Sequence, residues 1–298
     1  MILFRPKAQW DKQAVVVLVD KAQLDKKKFA FANAKLKDQI LDFSKKGNFS
    51  AENAEIFPFI FNSKTAVLVG LGKKESLSLT TLRVNLRRAI LSPFLAKIES
   101  LEILPHEDVE KTVIAIIESV LIGTYAWKKY ISKSKDSKVV EQKNIWIVAS
   151  KEKCYDEAIK ICEGVTLTRN LINDNADTVN ALFVEKTIKE LIKGKKNIKA
   201  EILTRREMEK KGLGLHLAVN KGSQNEPRLI IVKYQGGSKS EGFTAVLGKG
   251  ITFDTGGLNL KPTGYMETMR SDMSGAAAVV GVLKNVLALN TFASPEIS

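Results

Sequence analysis

The sequence predicts an α/β protein of two layered units, and three observations carry that prediction. Short apolar, β-rich runs alternate with helical runs through the first 150 residues, the pattern of strands covered by helices. Between Gly248 and Ala278 an apolar run, a Gly-rich loop and a small-residue helical run follow one another, an arrangement at which α/β proteins place chemistry. The length of 298 residues suits about two domains of ordinary size. The organisation reads as an amino-terminal α/β layer domain over 1–150, a linker helix over 151–171, and a second α/β unit with a central mixed sheet over 172–298.

In chain order, AVVVLVD (14–20) reads as a strand. The stretch 27–47 holds a helix closed by Gly47, and FPFIFNS (57–63) with TAVLVGLG (65–72) reads as a hairpin. A helix over 79–98 stops at Pro93, SLEILP (100–105) is a strand, 109–130 a helix and NIWIVAS (144–150) a strand. After the linker, 186–194 is a helix closed by Gly194, 198–204 a strand, and 206–212 a short helix closed by Gly212. Three further strands are expected at 215–222, 228–234 and 243–253, then a buried helix over 274–289 without an internal breaker.

Composition excludes several classes. With 44% hydrophobic and 27% charged residues the chain has the make-up of a soluble globular protein, and no apolar run approaching the ~20 residues of a membrane span is expected. The start, MILFRPKAQWDKQ, lacks the layout of a secretion signal. Cys154 and Cys162 lie more than two turns apart on one helix, so both read as reduced thiols in a cytoplasmic protein. His106 and His216 have no partner at ligand spacing and read as satisfied or surface histidines. The sequence GLGKKES lacks the spacing of a phosphate loop. The net charge of +14 is spread: residues 1–150 carry 25 Lys and Arg against 16 Asp and Glu, the remainder 22 against 17. Such a balance suits nucleic acid or anionic surfaces, but dispersed basic residues are explained more simply as solvated faces.

The chemistry concentrates on Lys249, Asp254, Lys261 and Asp272. Taken singly, the glycines at 256–257 make a turn, the lysines are solvated, and Asp272 favours a helix N-terminus. Taken together they suggest a cation site. Lys249 falls within an apolar run, where a buried, unpaired ammonium is costly. A dication beside it favours the neutral amine and makes Lys249 a nitrogen ligand. Asp254 and Asp272 supply hard oxygen ligands, and Lys261 remains as a positive charge to polarise a carbonyl.

GKGITFDTGG (248–257), LK at 260–261 and MRSDMSGAAAV (269–279) together resemble the metal-site signature of the leucyl (cytosol) aminopeptidases. RNLINDNADTVNA (169–181) and KKGLGLHLAVNKGSQNEPRLIIVKYQGG (210–237) are similar to segments of that family's catalytic domain. AVLVGLGKKESLS (66–78) and ESVLIGTYAWKKY (118–130) fit its more variable amino-terminal domain.

The resemblance implies a two-metal hydrolase that removes amino-terminal, leucine-like residues from peptides in the cytoplasm. Its metals are Mn2+ or Zn2+, its assembly is a homo-hexamer, and a bicarbonate ion is its base. By position, Lys249, Asp254 and Asp272 become metal ligands, with Asp254 bridging the ions. Lys261 becomes the catalytic stabiliser of an oxyanion. Met269, with Lys249 and Lys261, becomes substrate-binding. The family carries two further carboxylates and an arginine in an NTDAEGR motif, which does not occur here; after Asp272 the only acidic residue is Glu296. The expectation is therefore a catalytic domain that is incomplete in this chain and inactive alone. A basic DNA-binding protein and a non-catalytic assembly subunit stand as alternatives.

Overall fold

The computed structural model describes residues 1–131, 143–237 and 242–290. Its chain divides into two units, Met1–Cys162 and Glu163–Ser298.

The first unit is organised by β2 (Ala14–Val19), whose six residues are all buried. A strand covered on both faces must be apolar throughout, and AVVVLV is. It lies within a six-stranded sheet with β1 (Ile2–Arg5), β3 (Ile56–Phe61), β4 (Lys64–Gly70), β5 (Ser100–Leu104) and β6 (Asn144–Val148), in the order β1-β6-β5-β2-β4-β3. Every pairing is parallel except the β3–β4 hairpin. That hairpin turns through Asn62 and Ser63, with φ of 46° and 61°, the left-handed pair that a two-residue hairpin needs.

Alternate β2 residues feed opposite cores. Val16 and Leu18 join Leu82, Leu86, Val113 and Ile116 from α3 (Leu79–Ile90) and α4 (Glu110–Leu121). Val15, Val17 and Val19 join Leu36 and Ile40 from α2 (Ala34–Lys45). The helix starts are capped by side chains: Asp20 and Gln23 form a reciprocal box at α1 (Lys21–Asp25), Asn33 accepts from Leu36 N, and Ser78 from Thr81 N. Each cap satisfies donors that a helix leaves orphaned.

Three expectations in this unit need correction. The edge strand β1 was not foreseen. The helix expected from 79 up to Pro93 ends slightly earlier, at Ile90, because Ser92 precedes Pro93 and is extended, with ψ of 153°. The helix expected over 109–130 ends at Leu121, where Thr124 Oγ1 donates back to the Val120 carbonyl. Cys154 and Cys162 are not joined in a disulfide. His106 is buried, its Nε2 3.4 Å from Glu107 and its Nδ1 without a hydrogen-bond partner, so it is not fully satisfied. His216 is exposed.

Helix α5 (Lys153–Asn173) is continuous. In the second unit it is followed by α6 (Ala181–Ile192), β7 (Ile198–Leu203), α7 (Arg205–Lys210), α8 (Gly214–Asn220) and β8 (Leu229–Tyr234). Then come α9 (Thr263–Met266), a 3-10 turn (Glu267–Ser271) and α10 (Ser274–Leu289). The core joins Leu171, Val179, Ile188, Met273, Ala277 and Val280. Strands β7 and β8 pair antiparallel. Helices α5 and α10 approach closely through glycines: a Cβ on Gly281 would lie 2.1 Å from Thr168 Oγ1 and 2.8 Å from the Gly164 carbonyl oxygen.

The stretch expected as a strand over 215–222 is instead the helix α8 as far as Asn220, followed by a turn. A short apolar run fits either form, and the half-buried Leu213, Leu217 and Asn220 recur at helical spacing. Residues 243–253 form no ladder with the described residues, and Phe243, Val246 and Leu247 are exposed. An extended run becomes a strand only beside a partner backbone. Helix α10 is one-sided rather than buried, with Val282 47% exposed. Thr263–Leu289 does pass the length and hydropathy test for a membrane span, against expectation. Its 27 residues, however, are broken into α9, the 3-10 turn and α10. The core helix of a globular unit passes the same test.

Candidate metal centre

A glycine contact starts the site. The segment around Gly248 lies directly on the first turn of α10, so a Cβ on Gly248 would come within 2.4 Å of the Gly275 carbonyl oxygen. Ala276 N donates to the Lys249 carbonyl at 2.9 Å. This clamp sets Lys249 beside Asp272, the residue two before α10, and Lys249 Nζ is 2.8 Å from both Asp272 carboxylate oxygens. The expectation that Lys249 is buried in a strand is corrected here. Its side chain is 60% exposed, because no ladder encloses the segment among the described residues.

A second clamp closes the loop. Gly256, with φ of 93°, and Gly257, with φ of 74°, adopt conformations that favour glycine. A Cβ on Gly256 would meet the Asn259 carbonyl oxygen at 2.3 Å. The turn lets Gly256 N donate to Asp254 Oδ1 at 2.7 Å and Lys261 N donate to the Thr255 carbonyl at 2.9 Å. Lys261 Nζ thereby reaches Asp254 Oδ2 at 2.6 Å and Met269 Sδ at 3.0 Å. The Lys261 ammonium first, and then the Gly256 N–H, hold the Asp254 carboxyl below its usual range.

The structure thus brings Lys249 to Asp272, and Asp254 to Lys261 and Met269. Residue types announced the lysines and aspartates, but not the Gly248–Gly275 contact or the Gly256 N–H, whose signal was only the placement of the glycines. The donors, an amine nitrogen and carboxylate oxygens, fit the chemistry of a single N/O-bound dication. Each carboxylate is paired with an ammonium, so a dication taking these oxygens would displace the lysines as their counter-charge. Among the described residues, neither aspartate belongs to a group of three His, Cys, Asp or Glu ligands within 4.8 Å; the one such group is Glu110, Glu152 and Cys154 in the first unit. Two aspartates and one lysine also fall short of the four positions of a zinc site.

Comparison with known proteins bears on this geometry. The cytosol aminopeptidase catalytic domain matches residues 166–294, and the amino-terminal domain of the same family matches 15–134. A protein of Protochlamydia amoebophila named as a probable cytosol aminopeptidase is 38% identical over 227 residues, covering 72% of this chain and 45% of its own. One of Chlamydia caviae, named alike, is 32% identical over 309 residues, covering 97% and 61%. Among solved structures, a mutant tomato leucine aminopeptidase superposes with a TM-score of 0.75 at 21% identity, covering 97% of this chain and 60% of its own. The bottromycin maturation enzyme BotP, in complex with Mn, gives 0.71 at 22% identity, covering 94% and 57%. At such identity the structures speak for the fold. The chain spans about half to three-fifths of the length of the curated relatives it matches. The α/β class expected from sequence holds, but among the described residues the second unit's sheet is the antiparallel β7–β8 pair and not the expected central mixed sheet. The relatives are named as aminopeptidases and not as nucleic-acid proteins. Matched across both of its units, the chain belongs to the cytosol aminopeptidase family.

Proposed function

We propose that residues 248–278 form one share of a metal-dependent aminopeptidase site acting on the amino-terminal residues of peptides. The observation that carries this reading is the pairing of Lys249 with Asp272 and of Lys261 with Asp254 within the region matched by the catalytic domain. Lys249, Asp254 and Asp272 would hold the ion, Mn2+ or Zn2+. Such an ion polarises a carbonyl and lowers the pKa of bound water.

The chain's own residues do the rest. Lys261, steadied by Asp254 and Met269, presents a fixed positive charge toward a developing oxyanion. Met269 offers apolar surface for a leucine-like side chain. A second ion and a bicarbonate base require ligands beyond those found here, so the proposal is a site completed by further residues. A hexamer and a cytoplasmic location are proposed with it, as is the domain division at 150 and 172.

The test joins this chain to the carboxy-terminal part of the Chlamydia caviae relative and measures leucine-anilide hydrolysis with manganese. Turnover that falls about 100-fold or more in Lys261→Ala supports the reading, since losing one oxyanion donor costs that much. A folded, manganese-loaded protein that releases no product overturns it.

A further inference from the structure

The site's two lysine–aspartate pairs are set in different ways. Lys261 and Asp254 are seven residues apart on one loop, whereas Lys249 and Asp272 are 23 apart and meet only because two backbones touch. We propose that Gly248 and Gly275 are positioning residues for the Lys249–Asp272 pair, the absence of a Cβ at each setting the separation of those two side chains. The inference rests on the site reading above but is tested without it.

The glycines along this contact differ in a graded way. A Cβ on Gly248 would meet three backbone atoms, the Gly275 carbonyl oxygen and carbon and Ala276 N, at 2.4, 2.5 and 2.6 Å. No side-chain rotation relieves a clash with backbone. A Cβ on Gly275 would meet Lys249 N at 2.9 Å, a milder collision. A Cβ on Gly250 would meet only the Ala276 side chain, at 3.4 Å, an ordinary contact. None of the three has a positive φ, so backbone strain does not explain why glycine stands there. Helix propensity disfavours glycine at 275. Close approach is the remaining physical reason for the residue at 248 and 275, and the Ala276 N–H bond to the Lys249 carbonyl depends on the same approach.

A water-soluble carbodiimide applied to the full chain tests this, because it joins an adjacent amine and carboxylate as an amide with loss of water. Peptide mass mapping would then quantify the Lys249–Asp272 link against the Lys261–Asp254 link, which serves as an internal standard for local folding. Intramolecular reactions depend steeply on placement, so Gly248→Ala is expected to lower the first link about ten-fold or more. Gly275→Ala should lower it less, Gly250→Ala should leave it near wild type, and the Lys261–Asp254 link should persist throughout. Retention of the Lys249–Asp272 link at wild-type yield in Gly248→Ala, or its absence from the wild type, would overturn the proposal. If Gly248→Ala loses both links through misfolding, Gly275→Ala against Gly250→Ala decides. A parallel arm adds manganese. Protection of both links supports the metal reading, and no protection counts against that reading while leaving the glycine series decisive.

Discussion

Lys249 Nζ sits 2.8 Å from each carboxylate oxygen of Asp272, across 22 intervening residues. With the lysine 60% exposed, such a pair contributes little to stability, about 0–1 kcal/mol. Its interest is chemical, since an amine and a carboxylate are held where a cation could take both. Manganese titration of the chain should therefore show at most one specific site. That site should vanish in Lys249→Ala, which removes a ligand, and in Lys249→Arg, which places an obligate cation against the ion. Calorimetry reads the stoichiometry; two tight sites, or an arginine variant binding as well as wild type, would sink the ligand assignment.

The run from Phe243 to Tyr265 should be the first cut by protease. Leu247, Leu258 and Leu260 are 88%, 110% and 64% exposed, and the run joins no strand among the described residues. Brief chymotrypsin treatment should cut there and leave an amino-terminal fragment of roughly 27–29 kDa, in proportion to the 33.0 kDa of the whole chain. Mass spectrometry identifies the cuts. First cleavage within the sheet of 1–150 would contradict the burial pattern.

The sequence was most readable where one element decides its own fate. Ala14–Val19 is apolar enough to be a central strand wherever it lies, and 274–289 has neither breaker nor cap conflict. It was least readable where a partner decides. Ile2–Arg5 is a strand only because β6 offers an edge, and 243–253 is not one because no described edge is beside it. At the site, residue types marked Lys249, Asp254, Lys261 and Asp272 as chemical. Which lysine met which aspartate depended on the Gly248–Gly275 contact, and no spacing rule encodes that. The assumed burial of Lys249 failed for the same reason, since burial is a property of neighbours.

Glu102 should be the most costly polar residue to remove in the first unit. It is 1% exposed, its oxygens accept from Gln9 N and Trp10 N, and it lies 3.3 Å from Arg5, itself 4% exposed and stacked 4.0 Å over Trp146. Glu102→Ala leaves the guanidinium to Asp11, 2.9 Å away, and strips the acceptor from two backbone N–H groups, which costs about 1–3 kcal/mol. Glu102→Gln keeps an acceptor and should cost less. Urea unfolding followed by tryptophan fluorescence isolates the effect, because Trp10, Trp127 and Trp146 all lie in the first unit. A loss under about 1 kcal/mol would show the pair to be replaceable.

His106 makes the stability of that unit depend on pH. Burial holds its pKa below the ordinary value of 6.5; the neighbouring Glu107 and Asp20 carboxylates pull upward and the Lys74 ammonium downward, without reversing the shift. Between the depressed folded value and 6.5 the unfolded chain binds the proton that the folded chain refuses, so unfolding is favoured as protons are added. The contribution is fully present above 6.5 and is lost as pH falls through the folded pKa. The unpartnered Nδ1 offers no acceptor for the second proton, and Nε2 has only the 3.4 Å approach to Glu107. The acid side of the stability profile of the first unit should therefore slope more steeply in the wild type than in His106→Leu, which cannot titrate. Tryptophan-detected urea midpoints from pH 7 to pH 5 measure both slopes. Glu107, whose carboxyl is held low against its own burial mainly by Lys74, titrates beneath this window and does not imitate the effect. Parallel profiles for the two proteins would show that His106 takes up its proton in the folded state as easily as in the unfolded one, and the buried-imidazole account would fall.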